Sequence, residues 1–365
     1  MIKPTHIHTS GGVFTHHFIE SLQQDRVGHP ALRAETFTLP NYERYTEKSW
    51  ESEIAETWEE LVQRWDAVER EFGALDISLL RRRWIVPLLR ALGYVPEFNK
   101  ADLVLEEDFR FPISHLGWAG TSDVHLPIHT LCYQGERTLE TKAKPGRGIK
   151  AMAPHDMLQR YLNLSHEHRW ALLCDGVYLR LLRDYYHTYT RGYTEFDLQG
   201  IFSARDFASF RAMFRLLHAS RFVIPKDKEQ APIDELYEDA LAMGVAVGKD
   251  LRENVQKAIE TLGNGFLHST PGLLDQLREQ PDGAQVLFHE ILVTIYRVLF
   301  LLFAEQRGML PGRGSVYMEE FSLTAFRTRA ERPRGDDPNL DLWEKLKTTF
   351  SMLEHGVDEL KIYPY

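Results

Sequence analysis

Residues 120–144 read GTSDVHLPIHTLCYQGERTLETKAK, and the reading of this stretch decides the fold. Asp123 precedes an apolar run, a turn at Gln134-Gly135-Glu136 follows, and then comes Leu139-Glu140-Thr141-Lys142. Short apolar runs bounded by turn residues indicate strands, so the segment predicts strand, turn, strand. Glu140 and Lys142 are two apart, and on a strand both side chains leave the same face. Asp123 and Glu140 would then offer hard oxygen ligands to Mg²⁺. Lys142 would sit beside the metal and steady developing negative charge. An isolated D…ExK pattern has a high false-positive rate, so its flanks carry the weight.

Upstream, apolar residues between Asp76 and Leu92 recur at helical steps, and Gly93 follows as a C-terminal stop. Downstream, Pro154 to Leu164 predicts a helix bearing Gln159 and Tyr161, with proline at a favoured first position. Two apolar runs, Trp170–Cys174 and Val177–Leu182, are split by Asp175-Gly176, a strong hairpin signal. The order is helix, strand pair with D…ExK, helix with Gln, hairpin.

That order resembles the PD-(D/E)XK nuclease domain of type I restriction R subunits. Further segments, among them APHDMLQRYLN, HRWALLCDGVYLRLLRD, LLHASRF and YRVLFLLFAEQRGMLP, resemble the N-terminal region of type IIG-like restriction–modification proteins and of the DISARM phage-defence adenine methylase. The likeness runs from about residue 70 to the C-terminus. It implies a mixed sheet flanked by helices, α/β, followed by an all-α domain. It also implies action on double-stranded DNA in the cytoplasm, with Mg²⁺-dependent phosphodiester cleavage where the site is intact. The implied catalytic set is Asp123, Glu140 and Lys142, with Gln159 orienting the lysine or a phosphate. Asp76 stands where the family often carries a further metal-binding carboxylate, but it is also a good N-cap for its helix. The alternative is a degenerate nuclease fold that binds DNA or docks a methyltransferase or helicase partner. No Gly-rich cofactor loop and no Asn-Pro-Pro-Tyr occurs. A fragment or a split subunit, truncated before a methyltransferase domain, is therefore expected.

Composition is ordinary for a globular protein, with 43% hydrophobic and 26% charged residues in 365. A net charge of −10 argues against a wholly basic surface, whereas DNA binding needs only a local basic face. Two basic clusters offer one: Arg81, Arg82 and Arg83, and Lys144, Arg147 and Lys150 just beyond Lys142. The two cysteines, Cys132 and Cys174, sit in apolar runs and suggest no disulfide framework. Sixteen histidines show no CxxC or HExxH spacing. His125 and His129 share one strand face, where partly buried sheet histidines are the simpler expectation.

Three segments are expected: a helical piece at 1–70, the nuclease-like α/β domain at 71–225, and a helical domain at 233–365, with Lys226–Pro232 as linker. The run Ile291–Ala304 is too short to span a bilayer and predicts a central bundle helix. Nearly all its sides are apolar, so an apolar patch near Leu340–His355 is expected if covering elements are missing.

Overall fold

The structure is a computed structural model. It describes residues 6–39, 45–105, 109–135, 138–142, 152–186, 191–306, 309–312, 314–330, 341–360 and 362. The chain divides into two units, residues 1–247 and 248–365.

The first unit is built on a mixed seven-stranded sheet. Its strands are β1 (Ile7–Ser10), β2 (Tyr94–Phe98), β5 (His115–Ala119), β6 (His125–Thr130), β7 (Trp170–Cys174), β8 (Tyr178–Arg183) and β9 (Tyr193–Asp197). Strands β3 (Leu103–Leu105) and β4 (Phe109–Phe111) form a separate small hairpin. The order across the sheet is β1-β9-β8-β7-β6-β5-β2. Every neighbouring pair is antiparallel except β6 and β7, which run parallel. A parallel pair needs a crossover connection, and here the chain between β6 and β7 carries the helix Pro154–Leu164.

The helices of this unit are α1 (His16–Gln23), α2 (Glu47–Glu69), α3 (Ile77–Leu80), α4 (Val86–Ala91), α5 (Pro154–Leu164), α6 (Leu198–Ser203), α7 (Phe207–Leu217) and the first part of α8 (Pro232–Ser269). Between α3 and α4, Arg81–Ile85 forms a single π turn, so Ile77–Ala91 is one continuous helical stretch. Gly93, at φ 85°, ends it as expected. Alternation along the strands sorts side chains onto two faces. Leu172, Cys174, Leu179, Leu181 and Phe196 join the main core with Trp50, Trp65 and Trp84. Ala171, Leu173 and Leu182 join Leu158, Tyr161 and Leu162 of α5 on the opposite face.

The hairpin at Asp175-Gly176 is present. Gly176 has φ 93°, a conformation that costs other residues dearly. Asp175 Oδ1 accepts from the amides of Val177 and Tyr178 at 2.9 and 2.8 Å. The indole of Trp84 donates to the Gly176 carbonyl at 2.9 Å and ties the turn to the helical stretch.

Two expectations about organisation change. Residues 1–70 are not a helical piece apart, because β1 pairs with β9 along Ile7↔Phe196 to Ser10↔Tyr193. The boundary is not at 226–232 either. Helix α8 begins at Pro232, buries Ile233, Leu236 and Ala240 in the main core, and contains the division at Val247–Gly248.

The second unit comprises the rest of α8 with α9 (Leu273–Glu279), α10 (Gly283–Gln306), α11 (Leu323–Ala330) and α12 (Asp341–His355). Leu301, Ala304, Leu310, Tyr317 and Phe326 form its core. Glu305 organises the junction, accepting from the Leu323 amide at 2.7 Å and the Tyr317 hydroxyl at 3.0 Å. Helix α10 is not wrapped by neighbours: Phe288, Tyr296, Leu299, Phe300, Leu302 and Phe303 are exposed. The expected apolar surface is there, and a cleft between α10 and α12 is lined by Tyr296, Phe300, Phe350 and Leu353. Among the described residues, Gly283–Glu305 is the one helical segment long and apolar enough to cross a membrane. That segment is longer than the run Ile291–Ala304, so length does not rule out a span.

Candidate functional site

The chemistry-bearing residues of the first unit gather on the sheet face under α5. The register aligns Leu173, Arg180 and Glu195 in one row across β7, β8 and β9. Arg180 is therefore a buried arginine in mid-sheet, and burial of a charge requires partners. Its Nε donates to Glu195 Oε2, and its Nη2 donates to Glu140 Oε1 at 3.0 Å. Its Nη1 lies 3.4 Å from His155 Nδ1, and its guanidinium carbon is 3.9 Å from the Tyr193 ring centre. A second arginine, Arg191, reaches Glu140 Oε2 at 3.2 Å and holds Asp156 through two bonds at 2.8 and 3.1 Å.

Glu140 thus gives one oxygen to each arginine. Local chemistry puts it there. The Gln134 amide donates to Thr138 Oγ1 at 2.7 Å, and that hydroxyl donates to the Gly135 carbonyl at 2.6 Å. The chain curls into a 3₁₀ turn at Thr138–Glu140, with Leu139 buried among the α5 core residues. This corrects the expected strand: Glu140 is on a 3₁₀ turn, and Lys142, past its end, is exposed.

His155, at the start of α5, is fully buried. Burial, with the charges of Arg180 and Arg191, holds its pKa down to about 3, so the imidazole is neutral across the physiological range. Above this network lies an open cavity of about 990 Å³, lined by Glu140, Asp156, Gln159, Asn163, Tyr186 and Arg191 among others. Arg180 and Arg191 pair with three carboxylates, Glu140, Asp156 and Glu195, and Arg160 is a further cation on the cavity wall. The floor is therefore charge-balanced, rather than an acidic nest awaiting a cation.

The remaining sequence-predicted residues are dispersed. Asp123 is exposed in the turn before β6. Register places Arg180 level with His129 through Leu173. About 13 Å of strand, at roughly 3.3 Å per residue, separates His129 from His125, and Asp123 lies beyond His125. Asp123 and Glu140 therefore do not converge, and they do not fit a shared Mg²⁺. Asp76 is the N-cap of α3, its Oδ1 accepting from the Leu79 amide at 2.8 Å. Gln159 does not reach toward Lys142. Its Nε2 donates to the Arg183 carbonyl at 2.7 Å and to Asn163 Oδ1 at 3.0 Å, fastening α5 to β8.

The Arg81–Arg83 cluster does not form one basic face, because neighbours on a helix point in different directions. Arg81 turns inward and donates to Thr130 Oγ1 and the Thr130 carbonyl at 2.7 and 3.0 Å. Arg83 pairs with Glu71 at 2.5 Å, and Arg82 is exposed. Lys144, Arg147 and Lys150 lie outside the described residues. Trp84 and Trp170 are buried core, whereas Tyr186 is exposed at the cavity rim.

Sequence reading missed Arg191, Asp156, His155 and Glu195, and missed that Arg180 is buried among them. A signal existed in Tyr178-Leu-Arg-Leu-Leu-Arg183. An arginine with leucine on both sides, in a strand following a buried one, is an interior charge that needs carboxylates. Among the described residues, the group whose ligand atoms lie close enough to hold a metal ion is elsewhere: His125, Glu167 and His168. No protein family matches the chain, and no curated protein or solved structure matches it.

Proposed function

We propose that the first unit is a restriction-nuclease-like scaffold that binds double-stranded DNA without cutting it at Asp123, Glu140 and Lys142. In this reading it serves a restriction–modification or phage-defence system and docks a methyltransferase or helicase partner. The observation that carries the non-cutting reading is the double pairing of Glu140 with Arg180 and Arg191. Both oxygens of this carboxylate face guanidinium groups, and the two positive charges stand where a catalytic Mg²⁺ would have to bind and would repel it. The nuclease-like part of the reading is supported by element order. A helical stretch leads into the antiparallel strands β2, β5 and β6, and a helix then leads to β7, parallel to β6. Helix, strands, Gln-bearing helix and hairpin follow in the order that the resemblance to PD-(D/E)XK domains implies, although a 3₁₀ turn at Thr138–Glu140 replaces the expected strand of the ExK.

DNA affinity rests on the sequence between Glu140 and His155, both on the wall of the large cavity. The intervening residues include Lys142, Lys144, Arg147 and Lys150. Phosphate contacts from such residues make affinity fall with salt. The test is fluorescence anisotropy of labelled duplex DNA across a salt series, with and without Mg²⁺. Binding without strand cleavage is expected. Replacing Lys144, Arg147 and Lys150 with Ala should flatten the plot of log affinity against log salt by about 0.9 per lost phosphate contact. Absence of DNA affinity at low salt overturns the binding reading. Mg²⁺-dependent cleavage abolished by Glu140→Gln overturns the non-cutting one.

A further inference from the structure

A second constellation lies at the end of β6 nearest Asp123, away from the Glu140 network. His125 Nε2 is 3.5 Å from Glu167 Oε1, and His168 Nε2 is 3.9 Å from the same oxygen. One ligand atom from each of the three residues lies within 4.8 Å of the others. Tetrahedral bonds of about 2.0–2.1 Å place ligand atoms about 3.3–3.4 Å apart. The three groups need to contract by only a fraction of an ångström to about an ångström and a half, and Glu167 is an exposed side chain free to make that move.

Each ligand is held from behind. The His125 ring leans against Trp118, with ring centres 4.3 Å apart and the planes tilted by 37°, and β5–β6 register pairs these two residues. Ser165 Oγ accepts from the amides of Glu167 and His168 at 3.2 and 3.0 Å, fixing the turn that presents both. The His168 ring is buried, and its Nδ1 lies 2.9 Å from the Tyr161 hydroxyl. With Nδ1–H donating to that oxygen, the lone pair is on Nε2. Nε2 is shut off from solvent, with no hydrogen-bond partner. An orphaned buried acceptor of this kind calls for a ligand. A ring nitrogen oriented by a bond at the other ring nitrogen is what metal-binding histidines use.

We propose that His125, Glu167 and His168 form a divalent transition-metal site, with zinc as its natural occupant. Two imidazoles and one carboxylate suit zinc and its first-row neighbours rather than Mg²⁺ or Ca²⁺, which favour all-oxygen sets. Three protein ligands leave a fourth position open. That position adjoins a small cavity of about 170 Å³, also lined by Trp170, Arg169 and Asp234. The metal would clip the start of β6 to the turn between α5 and β7. The proposal stands apart from the DNA-binding reading, and either can fail alone.

The full chain, stripped with chelator, is titrated with Zn²⁺ by calorimetry and with Co²⁺ by visible absorption. One ion per chain at this site is expected, with an intense tetrahedral ligand-field spectrum for Co²⁺ and a raised thermal midpoint for Zn²⁺. Glu167→Gln alters an exposed side chain and spares the core, and it should weaken Zn²⁺ about 10–100-fold or more. His125→Gln should do the same. A His16→Gln/His17→Gln double variant controls for adventitious binding near the N-terminus and should bind as the parent does. Circular dichroism of each metal-free variant confirms that it is folded. Wild-type chain that binds no Zn²⁺, or binds it equally after Glu167→Gln and His125→Gln, overturns the proposal. A weak octahedral Co²⁺ spectrum also overturns it.

Discussion

Asp175 offers the sharpest test of the physical account of the first unit. It is fully buried in the β7–β8 turn, and burial raises its pKa from 3.8 to about 6. The amides of Val177 and Tyr178 and the charge of Arg180 oppose that rise, while Glu195 adds to it. In the unfolded chain the carboxyl releases its proton near pH 4; in the native state it holds the proton to about pH 6. The native state thus binds more protons between these values, so stability falls as pH rises through the window. A shift of about two pKa units corresponds to about 3 kcal/mol. Asp175→Asn removes the titration and keeps an Oδ1 that accepts from both amides. Its amide nitrogen takes the place of Oδ2, which already lacks a partner. The variant should match the parent near pH 4 and exceed it by up to about 3 kcal/mol above pH 7. Denaturant unfolding followed by tryptophan fluorescence is the assay, because Trp50, Trp58, Trp65, Trp84, Trp118 and Trp170 all lie in the first unit. A variant less stable than the parent at pH 7.5, or a difference that does not change with pH, refutes the reasoning.

Three further outcomes are expected. Arg180→Ala strands the half-buried Glu195, leaves Glu140 to Arg191 alone, and should cost about 3–5 kcal/mol in the same unfolding assay. Arg180→Met, which keeps the bulk, combined with Glu140→Gln and Glu195→Gln should recover most of that loss, and a triple variant no better than Arg180→Ala counts against the ion network. Gly176→Ala forces a side chain into φ 93° and brings its Cβ to 3.0 Å from Leu80 and Phe72, so a loss of about 1–3 kcal/mol is expected, measured as a shift in denaturant midpoint. Phe300→Asp with Phe303→Asp charges the exposed apolar face of α10 and should lower concentration-dependent association in sedimentation velocity; unchanged association would mean that this face drives none of it.

Much of the architecture was legible because it depends on short-range rules. The hairpin at Asp175-Gly176 follows from glycine's tolerance of positive φ, and Asp76 caps its helix through a carboxylate three residues from the amide it accepts. Helix α5 follows from Pro154 and the apolar steps behind it, and α10 from its long apolar run. The exposed apolar face of α10 was also readable, since a helix apolar on nearly all sides exceeds what its own neighbours in sequence can cover. The reading failed at Thr138–Glu140, where a threonine hydroxyl bonded to its own turn outweighs the strand propensity of the segment.

What only the tertiary structure decided is which distant residues share a neighbourhood. Ile7 pairs with Phe196, Glu140 meets Arg180 and Arg191, and His125 meets Glu167 and His168. The pattern of a strand tells which face a residue takes, but not which strand lies beside it. Register is set jointly by every strand and by the helices that cover both faces, and a slip of one residue would send Arg180 to the opposite face. Asp123 and Glu140 are close along the chain yet lie toward opposite ends of β6. His125 and His168 are far apart along the chain and become neighbours because β6 and β7 run parallel.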